Sequence, residues 1–244
     1  MKIRTYFTAA EAEKAEMSGA VAVVIDVIRA TSTMVEALAN GARAIYPTVS
    51  TEDAIRLANS LGREDTLLCG ERKGLKVEGF DLGNSPREFG PEKVEGKRLV
   101  MSTTNGTRAF VAVQTADKIL AASFLNLDQV VRSLPTAEDA EVVLVCAGKE
   151  DHFALDDAYC AGLILAEFLE ARQASGELDD ASRAALSLAA SFSLNPELLR
   201  RTAAGDALVQ VGLGGDLLLC AERDRHSLVP EMSDRMIHLP GQER

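Results

Sequence analysis

Short apolar runs rich in β-branched residues recur along the chain, separated by stretches whose apolar positions fall three and four residues apart. Ile3 to Phe7, Val21 to Val27, Ala44 to Thr48, Thr66 to Cys69, Arg98 to Met101, Lys118 to Ala121 and Val142 to Cys146 read as strands. In Val21 to Val27 and Val142 to Val145 almost every residue is apolar, as a strand covered by helices on both faces requires, so these two belong at the centre of a sheet. Strands alternating with helices imply crossover connections. The fold class is therefore α/β, a mostly parallel or mixed sheet layered with helices.

The spacing Thr33-x-x-Glu36 is that of a capping box and predicts a helix from near Thr33 through Val35, Leu38 and Ala39 to Gly41. A second helix follows Thr51, with Ala54, Leu57, Ala58 and Leu61 on one face and Gly62 at its end. Leu155 to Leu186 is helical in pattern apart from Gly176, Asn195-Pro196 opens another helix, and the last five residues read as a frayed tail. There is no fixed-period repeat and no low-complexity linker. The 244 residues fit a single catalytic unit, or two fused lobes with the site between them and a boundary near Pro135.

Four of the strand ends run into polar clusters: Asp26 to Thr33, Gly70 to Pro86, Ser102 to Thr107 and Cys146 to Asp157. Open α/β sheets place ligands at that end of their strands, which points to an enzyme. Composition narrows the substrate. With 37 acidic against 26 basic residues, the net charge of -11 repels a polyanion, so nucleic acid is excluded as an expected partner. A small anionic substrate would need arginines set in the site or a divalent metal. The four cysteines have no CxxC spacing and read as reduced thiols, and no run of about 18 apolar residues offers a membrane span. The N-terminus is too charged for a secretory leader, so the expected location is cytoplasmic.

Each cluster has a chemical reading and a plainer one. Asp26 and Arg29, at a strand end before a helix, combine a metal-ligating carboxylate with a guanidinium for phosphate; the plainer reading is a buried Asp–Arg pair. Thr104, Asn105, Gly106 and Thr107 can form an anion-cradling nest or an ordinary cap turn. Gly70 to Pro86 has four glycines and six charged residues without helical or alternating period, an ordering cost that favours function over a surface loop. There, Glu71, Glu78 and Asp81 suit a hard cation; Arg72, Lys73 and Lys76 suit substrate anions; Gly83, Asn84 and Ser85 can approach a ligand by backbone. Glu150, Asp151, Asp156 and Asp157 divide between metal ligation and helix-start carboxylates. His152 is an acid/base candidate or a solvated side chain. P-loop, dinucleotide, GxSxG and HExxH patterns are missing, and Cys146 has His152, not arginine, six positions on, which argues against a thiol phosphatase.

Taken together, VVIDVIRATST, GERKGLKVEGFDLGNSP, TTNGTRA, SFLNL and CAGKEDHFALDDAYCAG resemble the 2-phosphosulfolactate phosphatase family, in order and at similar spacing over roughly Met1 to Leu169. The resemblance implies a magnesium-dependent hydrolase that converts 2-phosphosulfolactate to sulfolactate and phosphate, a step toward coenzyme M. On that expectation Asp26, Arg29 and Glu71 are catalytic and Mg²⁺ is held by carboxylates from Asp26, Glu71, Asp81, Glu150 and Asp156. Substrate is then met by Arg72, Lys76, Asn84, Ser85, Thr104, Asn105, Gly106 and Thr107. The attacking group is activated water, or Asp26 itself as a carboxylate nucleophile. A phosphatase for another small phosphorylated acid and a non-catalytic anion-binding protein are the alternatives. The alanine-rich C-terminal third could be lobe core or the face of a homodimer.

Overall fold

The computed structural model describes residues 1–172 and 176–241. Its first half alternates strand and helix: β1 (Lys2–Tyr6), α1 (Ala9–Ala12), β2 (Ala20–Ile25), α2 (Ala30–Ala39), β3 (Ala44–Pro47), α3 (Thr51–Leu61) and β4 (Thr66–Arg72). A short β5 (Leu75–Lys76), α4 (Pro91–Val94), β6 (Arg98–Ser102), α5 (Gly106–Ala112), β7 (Lys118–Ala122), α6 (Leu127–Ser133) and β8 (Glu141–Cys146) follow. The remainder is mostly helical: α7 (Leu155–Arg172), β9 (Glu177–Leu178), α8 (Asp180–Ser191), α9 (Pro196–Arg200), α10 (Ala203–Gln210) and α11 (Asp216–Cys220). A hairpin of β10 (Glu231–Ser233) and β11 (Met236–His238) ends the described chain.

Among the described residues the strands form one mixed sheet in the order β5-β4-β6-β3-β11-β10-β7-β2-β8-β1-β9. Two parallel sets, β4-β6-β3 and β7-β2-β8-β1-β9, are joined by the β10–β11 hairpin, which pairs antiparallel to β7 on one side and to β3 on the other. Because the linking hairpin adds an odd number of reversals, the two sets run in opposite directions. At a usual twist of about 20–25° per neighbouring pair, the six steps from β4 to β2 accumulate roughly 120–150°. That rotation swings the opposed C-terminal ends toward one another, and residues from both sets line a single pocket. Position 135 falls between α6 and β8, within the second set, whereas the two sets meet at the C-terminal hairpin.

β2 and β8 are internal strands, with β7 and β1 outside them. Alternate residues serve opposite faces, as the period of two demands. Ala22, Val24, Val143 and Val145 pack with Met34, Leu38 and Phe110 on one side; Val23, Ile25 and Leu144 pack with Leu127, Ile164 and Phe168 on the other. The latter core extends to Leu199, Leu208 and Leu217, so the C-terminal helices share it. Between α7 and α8 the approach is close enough that a Cβ at Gly162 would stand 2.0 Å from the Ala185 carbonyl oxygen.

Seven expected strands are present with ends shifted by up to three residues, and α3 runs from its Ser50 cap to Gly62 as its period indicates. Three expectations change. Helix α2 begins at Ala30, one turn before Thr33, because the Asp26 carboxylate accepts the Ala30 N–H at 3.1 Å and so does the capping itself. Thr33 donates to the Asn84 carbonyl instead, and Glu36 meets His226 and Arg225. The segment Gly70 to Pro86 opens with a hairpin and continues as a packed connection: Lys73 and Gly74, both at positive φ, make the two-residue turn between β4 and β5, and Phe80 packs on Ala54, Ala58 and Leu68. Finally, the expected Leu155 to Leu186 helix is two helices, α7 and α8, with β9 between them; residues 173–175 and the end of the expected tail, 242–244, lie outside the described residues.

Candidate active site

A pocket of about 240 Å³ opens where β2, β4, β6 and β8 end. Asp26 enters from β2, Glu71, Lys73 and Gly74 from the β4–β5 hairpin, Thr103 to Asn105 from the loop after β6, and Gly148 to Glu150 from the loop after β8. Asp156 and Asp157, in the first turn of α7, close one wall, and Ala204, Ala207 and Leu208 of α10 close another.

Asp26 is buried, with one oxygen against the Ala30 N–H. Its neighbour is Gly106, where a Cβ would meet Asp26 Oδ2 at 2.7 Å and the Ala30 Cβ at 2.5 Å, so glycine there is a condition of the carboxylate's position. Burial, with the charges of Asp156 and Glu71 beside it, pushes the Asp26 carboxyl up to about 7; the Ala30 N–H and Arg29 act against that. Burial also raises Asp156 to about 6, opposed by its own backbone N–H and by Lys149. Asp157 is raised well above the usual range by burial and by the charges of Asp156 and Asp26. Its two oxygens accept the Val27 N–H at 2.8 Å and the Gly148 N–H at 3.1 Å, which ties the end of β2 to the end of β8.

Glu71 accepts the Gly74 N–H at 2.7 Å and the Thr104 N–H at 2.8 Å, bracing the hairpin against the β6–α5 loop at the pocket's edge. Arg29 does not pair with Asp26. Its Nη1 donates to Asp216 Oδ2 at 2.8 Å and its Nη2 to the Gly74 carbonyl at 2.8 Å. Asn84 and Thr104 line the pocket, and Asn84 Oδ1, Thr104 Oγ1 and Asp156 Oδ1 are buried atoms with no hydrogen-bond partner among the described residues. Buried polar atoms without partners are uncommon, and three around one pocket mark a place shaped for a ligand. Asn105 accepts the Glu150 N–H, which holds the rim, and Glu150 is exposed there at a φ of 50°.

Other residues named from the sequence lie elsewhere. Asp81 is outside the pocket lining, paired with Arg63 at 2.9 Å and accepting the Leu68 N–H at 2.7 Å, because the chain folds back along β4 there. Arg72 turns to Ser102, and Lys76 is exposed on β5. Ser85 donates to Asp216, and Thr107 bonds back to Thr103. His152 and Asp151 are exposed, the latter paired with Arg108, and Cys146 is a buried thiol that burial pushes up. Lys149 and Asp216 were not singled out from the sequence. For Asp216 no local signal exists, since its partner Arg29 is 187 positions away.

Asp26 and Asp156 are the residues that could hold a divalent cation: both are buried carboxylates lining the pocket, and one has an unpartnered oxygen. Among the described residues no three His, Cys, Asp or Glu side chains gather into a full metal cage. Mg²⁺ commonly takes one or two carboxylates and completes its shell with water and substrate, so the donor set fits. No described helix is long and apolar enough to cross a membrane.

Carboxylates gathered at the C-terminal ends of strands, with basic side chains and unpartnered polar atoms around them, define the class as an α/β enzyme. A family model described as 2-phosphosulpholactate phosphatase matches residues 6–235. A probable 2-phosphosulfolactate phosphatase of Clostridium perfringens is 41% identical over 237 residues, covering 96% of this chain and 94% of the relative. Proteins of the same description from Symbiobacterium thermophilum and Clostridium beijerinckii are 38% and 35% identical, over 92% and 97% of this chain and 96% and 99% of theirs. The chain belongs to the 2-phosphosulfolactate phosphatase family, and with it to the phosphoric monoester hydrolases.

Proposed function

We propose that this enzyme hydrolyses the phosphomonoester of 2-phosphosulfolactate to sulfolactate and phosphate in a Mg²⁺-dependent reaction, a step toward coenzyme M. The observation that carries the proposal is the raised, buried pair Asp26 and Asp156 in a pocket with three unpartnered polar atoms. Those two carboxylates would hold the cation, with Glu150 at the rim within the same lining. When bound, Mg²⁺ supplies charge neutralisation at the phosphoryl oxygens and makes the attacking water more acidic.

The chain's own groups do the rest. Arg29 donates to phosphoryl oxygens from a guanidinium already fixed on two sides, and Lys73, from the β4–β5 turn, and Lys149, from the loop after β8, bring positive charge to the lining for the substrate's other anionic groups. Thr104 orients the substrate by donating from its free hydroxyl. Glu71 and Asp157 hold four connections in register by accepting backbone N–H bonds from Gly74, Thr104, Val27 and Gly148. Water attacks phosphorus, the bond to the sulfolactate oxygen breaks, and that oxygen takes the proton which the water loses. Fixed donors of this kind contribute on the order of 2.7 to 4 kcal/mol each, so Arg29→Ala lowers turnover by about a hundredfold or more.

The test is phosphate release from 2-phosphosulfolactate and a panel of other small phosphomonoesters, with Mg²⁺ and with chelator. Mg²⁺-dependent release with preference for 2-phosphosulfolactate is expected. Equal release in chelator would remove the cation from the proposal, and preference for another ester would replace the substrate. Binding of anions with no release on any ester would leave a carrier or sensor. Single-turnover trapping separates water from Asp26 as the attacking group: a phospho-aspartate at Asp26 would overturn the water route.

A further inference from the structure

We infer that Asp216 is a positioning residue for Arg29, so that α11, which lies beyond the motif blocks at residues 1–169, completes the catalytic pocket. This rests on Arg29 acting at the phosphoryl site, as proposed above. Both side chains are nearly sealed from solvent, Arg29 at 3% and Asp216 at 2% exposure. One Asp216 oxygen takes Arg29 Nη1–H at 2.8 Å; the other takes the Ser85 hydroxyl at 2.7 Å. With Arg29 Nη2 held by the Gly74 carbonyl, the guanidinium is clamped between α11 and the β4–β5 hairpin.

The count of donors shows what the clamp achieves. A guanidinium has five N–H groups in one plane, and Asp216 and Gly74 use two. The plane is thereby fixed while the remaining donors stay available along the pocket that Arg29 lines. Without Asp216 the guanidinium would keep its charge but lose one of its two anchors, and it would also lose compensation for being buried. Orientation fixed before substrate arrives is worth far more to turnover than to binding, because misplacement by about 1 Å can cost on the order of a hundredfold.

Four variants test this by phosphate release and thermal melting: Asp216→Asn, Arg29→Ala, the double variant, and Ser85→Ala, with millimolar guanidinium chloride added in parallel. Asp216→Asn is expected to lose about a hundredfold in kcat with KM little changed. Guanidinium should restore part of the activity of Arg29→Ala, whose Asp216 and Gly74 acceptors still hold the cation, and none to the double variant. A merely structural ion pair would lower the melting temperature but leave rescue equal in the single and double variants. Equal rescue, or wild-type kcat in Asp216→Asn, overturns the inference. If Asp216→Asn does not fold, Ser85→Ala releases one side of the carboxylate; a kcat lowered about tenfold supports positioning, and wild-type kcat overturns it. Wild-type turnover in Arg29→Ala would remove Arg29 itself, and the inference with it; full loss there beside an unaffected Asp216→Asn would remove the inference alone.

Discussion

Two buried acidic sites in this molecule, both raised by burial itself, end on opposite sides of the ordinary carboxylate range. Glu36, on α2, is buried, and burial acts to raise it, yet His226 at 2.7 Å and Arg225 outweigh that and hold its carboxyl below the ordinary value. Asp26, only ten residues earlier, has no cation bonded to it; burial and two neighbouring acids raise it to about 7. One site is closed on itself and ties α2 to the segment before the final hairpin. The other is left with surplus negative charge and unpartnered atoms, which a protein tolerates where a ligand completes the arrangement. Depth of burial alone thus does not mark function. What separates the two sites is whether the protein supplies the compensating charge.

That contrast can be tested from its strongest consequence downward. Asp156→Asn should reduce turnover on the order of a thousandfold, the scale of several kcal/mol of lost charge stabilisation, while Glu36→Gln leaves turnover within a few-fold. Steady-state phosphate release measures both, and similar losses in the two variants would erase the distinction.

The pH dependence of stability should differ in sign. Asp26 and Asp156 bind protons more tightly folded than unfolded, so their contribution is full below about pH 4 and is lost as pH rises through about 6 to 7. Without divalent cation the melting temperature therefore falls across that window, by an amount on the order of a few kcal/mol in stability, and Mg²⁺ restores it. Glu36 behaves oppositely: its contribution is present above the unfolded value near 4.5 and disappears as pH drops through its lowered folded value. Melting scans of wild type and Asp26→Asn, with and without Mg²⁺, check this; an unchanged pH slope in the variant would exclude Asp26 as the cause.

Glu36→Gln should cost about 1–3 kcal/mol of stability by leaving His226 and Arg225 without their anion, measured by urea unfolding. The smallest effect is expected at Asp81. Its pair with Arg63 is partly exposed, so Asp81→Asn should change stability by about 0.2–1 kcal/mol and leave Mg²⁺ dependence unaltered. A large loss of Mg²⁺ response there would return Asp81 to the cation site.

Some of this was readable along the chain and some was not. Asp26 was legible because it follows an unbroken apolar strand and precedes a helix, a position that periodicity alone can locate. The importance of Gly70 to Pro86 follows from the entropy of ordering so polar a stretch, whereas the two-residue turn at Lys73 and Gly74 that opens it depends on pairing with β5 that no local pattern signals. Thr33 and Glu36 have the spacing of a capping box but do not form one, since Asp26 already caps the helix and Glu36 finds stronger partners near residue 226. Asp81 and Glu71 are close in sequence, which suggests one shared site. A reversal of the chain between them sends the two carboxylates to different neighbours.

The amino-acid order by itself determined the α/β class, the two strands covered on both faces and the strand ends where chemistry gathers, because each depends on local periodicity and on where apolar runs stop. Tertiary structure alone decided that two oppositely running strand sets converge on one pocket, that Asp216 rather than Asp26 holds Arg29, and that Asp26 titrates near neutrality. Those outcomes depend on accumulated sheet twist, on through-space charge and on exclusion of water. None of these is a property of neighbours in sequence.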